Sequence, residues 1–138
     1  MAGDRDRIVM EVNYLRQQAD EINAQSQQLA ALLAENQAAQ QSLDALAKAH
    51  AAKDAKSDAG EAWLSPIGAG VFARAKPSGE SVVIEVGSRV ARDATPAEAK
   101  TILAERSQAI EKALGEARAA LTQTLRRMDA LGSLAGMQ

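Results

Sequence analysis

From Asp4 to Lys56 the chain contains neither proline nor glycine, and its apolar residues recur at alternating spacings of four and three. Taking Ile8, Leu15, Ile22, Leu29, Asn36, Leu43 and His50 as d positions makes Val12, Ala19, Ser26, Leu33, Gln40 and Ala47 the a positions. This is the pattern of a helix that packs along another helix, sustained over about six heptads. Leu32 and Leu46, at g, widen the apolar stripe. A helix of roughly 50 residues would be about 75 Å long, more than one small domain can cover, so the pattern calls for a second long helix.

The other end of the chain supplies it. Thr95-Pro96-Ala97-Glu98 reads as a helix start, with Thr95 at the N-cap, Pro96 in the first helical position and Glu98 placed as a capping-box partner. Leu103, Ile110, Ala117, Thr124 and Leu131 then fit d, and Ser107, Leu114, Leu121, Met128 and Ala135 fit a. Gly115 weakens this helix by about 1 kcal/mol without ending it. Gly132 and Gly136 loosen its last turns.

Composition agrees with rods rather than a ball. Of 138 residues thirty-one are alanine, while Trp, Tyr and Phe occur once each, so helix formers abound and the large side chains that fill a core are scarce. The net charge of −2 arises from interspersed acids and bases, which gives no field favouring nucleic acid or anionic lipid. Cysteine is absent, which excludes disulfides and thiolate metal sites. No apolar run approaches the ~20 residues of a membrane-spanning helix. The opening Met-Ala-Gly-Asp-Arg-Asp-Arg leads straight into a polar periodic segment, unlike a cleaved signal peptide, so the expected location is cytoplasmic.

Between the helices the character changes. Ser57-Asp58-Ala59-Gly60 closes the first helix, and four short runs follow: Ala62–Ser65, Val71–Lys76, Ser81–Val86 and Arg89–Arg92. Pro66-Ile67-Gly68-Ala69-Gly70, Pro77-Ser78-Gly79-Glu80 and Gly87-Ser88 separate them, which predicts four strands in two hairpins. Val82, Ile84 and Val86 share one face of the third run, and Val83 and Glu85 the other, so one face should be buried. The expected fold is mainly α with a small β-platform. A long antiparallel coiled-coil hairpin (helices over 4–57 and 95–135) carries two β-hairpins (61–93), all in a single domain.

Trp63-Leu64-Ser65-Pro66-Ile67-Gly68-Ala69-Gly70-Val71-Phe72-Ala73-Arg74-Ala75, set between two coiled-coil segments, resembles the hairpin of the archaeal-type prefoldin α subunit family. The family's second hairpin usually carries a Val-Gly-x-Gly turn. Val86-Gly87-Ser88-Arg89-Val90 keeps the first glycine and lacks the second, so a different turn geometry is expected there. The resemblance implies an ATP-independent holdase chaperone without a cofactor. It also implies a hexamer of two α and four β prefoldin subunits that captures unfolded polypeptides at its coiled-coil tips and passes them to a group II chaperonin.

The residues fit that expectation without help from it. Four short strands with one Phe and one Trp cannot close a core alone and leave free edges, so Val71, Phe72, Val82, Ile84, Val86 and Val90 are candidate subunit-interface residues. Ile8, Val9, Met10 and Val12 at one terminus and Leu131, Leu134 and Met137 at the other are candidates for binding unfolded chains, since exposed apolar groups with adaptable methionines suit promiscuous capture. The polar residues Ser26, Asn36, Gln40 and His50 interrupt the seam and are expected to set register or let it fray.

Catalysis and metal binding find no footing. His50 has no companion at ligand spacing, and Gly68-Ala69-Gly70 lacks the Walker lysine and the strand-to-helix setting of a phosphate loop. No nucleophile has an identifiable relay, and Arg126-Arg127 sit where they complement a helix dipole. Two other functions compete: a structural coiled-coil adaptor that recruits one folded protein partner, and an RNA-binding helical hairpin, which the balanced charge opposes.

Overall fold

The uninterrupted heptads give one helix, α1, Ala2–Ala52, and the Thr95-Pro96 start gives the other, α2, Pro96–Gly136. Between them lie β1 (Trp63–Gly68), β2 (Val71–Ala75), β3 (Val82–Gly87) and β4 (Val90–Ala94). This computed structural model describes residues 2–52, 63–76 and 79–136, with side chains for all of these but 2 and 49–52. Met137, the His50 side chain, the expected closing turn at Ser57–Gly60, the strand start at Ala62 and the Pro77-Ser78 turn lie outside the described residues.

Contacts divide the chain into two units. One combines Met1–Glu35 with Ser107–Gln138, and the other is Asn36–Arg106. In the first, every expected a and d residue of α1 from Ile8 to Leu33 is buried or half-buried, as is every one of α2 from Ser107 to Ala135. Ala19, Leu114, Ala117 and Leu131 are its most buried apolar side chains. Glu11 and Arg127 join the two helical segments across this seam, with Arg127 Nη2 3.2 Å from Glu11 Oε1.

The second unit holds both hairpins and the remaining parts of the helices. Lys100 Nζ lies 2.7 Å from Asp44 Oδ1, and the Asn36 side-chain amide donates to the Leu103 carbonyl at 3.0 Å. As α1 advances α2 recedes, so the helical segments run antiparallel here. The start of α2 is capped as expected on one side: the Glu98 amide donates to Thr95 Oγ1 at 3.1 Å. Among the described residues the reciprocal bond of a full capping box is absent. Near the end of α1, Ala47 is exposed and Leu46 half-buried, a shift of one position from the expected seam. The leucine has far more apolar surface to remove from water than a methyl group has.

Each hairpin is its own two-stranded antiparallel sheet, β1–β2 and β3–β4. Strand β1 runs further than expected, through Pro66 and Ile67, leaving only Ala69-Gly70 as the loop. Proline is tolerated there because a two-stranded sheet offers a free edge on which its missing N–H costs nothing, and Ile67 is the extra residue of a bulge between Pro66 and Gly68.

The second turn corrects the sequence expectation. Gly68, Ala69 and Gly70 have φ of 130°, 52° and 79°, and Gly87, Ser88 and Arg89 have φ of 124°, 49° and 62°. The two turns share one geometry, with both loop residues left-handed as the twist of a two-residue hairpin requires. Arg89 occupies the place that glycine fills in the first.

Candidate binding surfaces

The terminal end of the first unit separates into seam and outer face. Ile8 and Val12 are half-buried and Leu131 is only 5% exposed, so these three hold the helices together. Val9, Met10 and Leu134 point outward, at 53%, 72% and 56% exposure. The seven residues singled out from the sequence therefore include three that hold the seam, three exposed ones, and Met137 outside the description. Tyr14 and Leu125 are also exposed large apolar residues of this unit and were not anticipated. Both sit off the a and d positions, and asking which apolar residues the seam leaves over would have found them. The Tyr14 hydroxyl accepts a 2.9 Å hydrogen bond from Gln18.

In the second unit, Ile84 is 8% exposed and packs with Ala94 and Ala99, with Val82, Leu43, Ile102 and Leu103 around them. Buried Ile84 and half-buried Val82 thus pack against residues of the chain's own helices, Leu43, Ala99, Ile102 and Leu103. The Arg106 guanidinium adds a tie by donating to the Glu85 carbonyl on β3. Val71, Phe72, Val86 and Val90 remain exposed, joined by Leu64, Ile67 and Val83. With two strands per sheet, every strand is an edge, so unpaired backbone groups accompany these side chains. An apolar surface with free strand edges is suited to β-sheet pairing with another chain.

Among the described residues no group of three or more His, Cys, Asp or Glu side chains converges as a metal site, and no helix is long and apolar enough to cross a membrane.

A family model described as prefoldin subunit matches residues 15–136, the stretch that holds both hairpins and most of the two long helices. The chain belongs to the prefoldin family. A curated prefoldin subunit alpha from Methanosphaera stadtmanae is 36% identical over 86 residues, a match covering 62% of this chain and 56% of the relative. The chain thus aligns with a little over half the length of that prefoldin. The α-subunit resemblance read from Trp63–Ala75 stands on the family match and on this relative together.

Proposed function

We propose that this prefoldin is an α-type subunit of an ATP-independent holdase, which captures unfolded polypeptides and passes them to a group II chaperonin in the cytoplasm. Membership of a chaperone family supports the reading. The observation that carries it is the set of outward apolar side chains Val9, Met10 and Leu134 beside a well-packed seam. A seam that buries Leu131 and half-buries Ile8 and Val12 has no packing use for them.

Each such side chain gains about 1–2 kcal/mol when a client's apolar surface covers it. A single arm would therefore hold a client only briefly. Several arms on one assembly raise the effective concentration and turn brief contacts into retention, with release requiring no nucleotide. In this reading the assembly has two α and four β prefoldin subunits. Exposed Val71, Phe72, Val86 and Val90 lie in its subunit interface, while Val82 and Ile84 support that surface from beneath. Ile8, Val12 and Leu131 keep the tip rigid, and Met137 belongs to the client-binding set.

The test is a triple variant, Val9→Ser, Met10→Ser and Leu134→Ser, co-expressed with a β-class prefoldin subunit. It should assemble normally, keep its helical content and lose the ability to suppress aggregation of several unrelated unfolded proteins. Undiminished suppression would remove the tip assignment. An assembly that holds no unfolded protein but binds one folded partner tightly would identify an adaptor instead.

A further inference from the structure

In the second unit the successive d positions of α1 are Asn36, Leu43 and His50, and only the middle one is apolar. Leu43 packs against the cluster of Ile84, Ala94 and Ala99, with Ile102 and Leu103 beside it. One heptad earlier, Asn36 is 8% exposed, and its amide donates to the Leu103 carbonyl at 3.0 Å. Gln40, one turn further on, donates to the Asn36 oxygen at 2.6 Å and holds the amide in that orientation. A heptad seam repeats, so sliding α1 by one heptad, about 10 Å, keeps its stripe facing α2. Apolar packing alone therefore discriminates poorly between such registers. The residues flanking Leu43 in the d series do discriminate. Sliding one way brings Asn36 to the Ile84 cluster, and sliding the other way brings His50. That cluster offers apolar side chains only, and a buried amide without partners is strongly disfavoured there.

We infer that Asn36 is the register key of the helical seam in this unit. Its bond to the Leu103 carbonyl, and its exclusion from the Ile84 cluster, fix which residues of α1 lie opposite α2. Leu43 is thereby held against β3, the strand that also carries exposed Val86. The key acts within one chain and does not depend on the assembly proposed above.

The experiment uses the full chain, which has no cysteine of its own. Asp44→Cys with Lys100→Cys marks the observed register, since Lys100 Nζ lies 2.7 Å from Asp44 Oδ1. Gln37→Cys with Lys100→Cys marks the slid register, because Gln37 precedes Asp44 by one heptad. Each pair is treated with a short bismaleimide, with Asn36 intact and with Asn36→Leu. Intrachain linking is read by denaturing gel electrophoresis, and melting is followed by circular dichroism. With Asn36 intact, the first pair should link readily and the second only marginally. In Asn36→Leu an apolar side chain can take the place of Leu43 in the Ile84 cluster. Linking of the second pair should then rise about tenfold or more, while the melting temperature holds or increases. Asn36→Ala also removes the polar group, so it should raise that link at a lower melting temperature, and it decides the matter if Asn36→Leu does not fold. Second-pair linking that stays marginal in the folded variants overturns the inference. Equal linking of both pairs with Asn36 intact overturns it as well.

Discussion

Replacing Asn36 separates two roles that a polar residue in a helical seam can have. The side chain is 8% exposed; its amide N–H donates to the Leu103 carbonyl at 3.0 Å, and its oxygen accepts from Gln40 Nε2 at 2.6 Å. Asn36→Ala removes both bonds, each worth about 1 kcal/mol net. The Leu103 carbonyl keeps its place in the α2 ladder and half-buried Gln40 can turn to water, so neither is left fully orphaned. The expected loss is about 2 kcal/mol. Asn36→Leu removes the same bonds but adds a buried apolar side chain near Leu33 and Leu43, worth about 1.5–3 kcal/mol. Its net stability should equal or exceed wild type, as when a buried polar seam residue gives alignment at a cost in stability. Urea unfolding followed by circular dichroism at one fixed protein concentration measures both, and a double-mutant cycle with Gln40→Ala should return a coupling of about 0.5–1 kcal/mol. A neutral Asn36→Ala, or an Asn36→Leu as damaging as alanine, would refute the assignment of these bonds.

Three further outcomes follow from the same geometry. The hydroxyl of Ser26 is buried with no hydrogen-bond partner among the described residues, so Ser26→Ala should stabilise the chain by about 1 kcal/mol in the same assay. A Cβ at Gly70 would meet nothing within 4 Å, so Gly70→Arg should suffer only the left-handed backbone penalty, a loss of about 1 kcal/mol read as a lower melting temperature. The Glu11–Arg127 and Asp44–Lys100 pairs are about half exposed, so breaking either should cost well under ~1 kcal/mol, and high salt should erase the difference.

The helices were legible because their signal is repeated: a residue such as Leu29 or Leu114 is predicted by every neighbour in its heptad as well as by itself. The hairpins were legible as strands and turns, but their details were not. The bulge at Ile67 and the left-handed Arg89 depend on how two strands twist against each other, and propensity argues against both. The face of Val82 and Ile84 was correctly paired by alternation, yet alternation says only that a face is buried, and not that Ala99 and Leu43 of the same chain would cover it. The Arg106 bond to the Glu85 carbonyl had no local signal, since it links residues 21 apart through a long side chain and a backbone oxygen. At the tip, periodicity marked Ile8 and Leu131 for the seam, and the same apolar character put them among client-binding candidates; burial divides the set.

The most direct measurement is the native mass of the chain co-purified with a β-class prefoldin subunit and offered a chemically unfolded protein without nucleotide. The account predicts a hetero-oligomer containing both subunits, with the unfolded protein retained on it. A folded, stable monomer that joins no prefoldin partner and carries no client would contradict it.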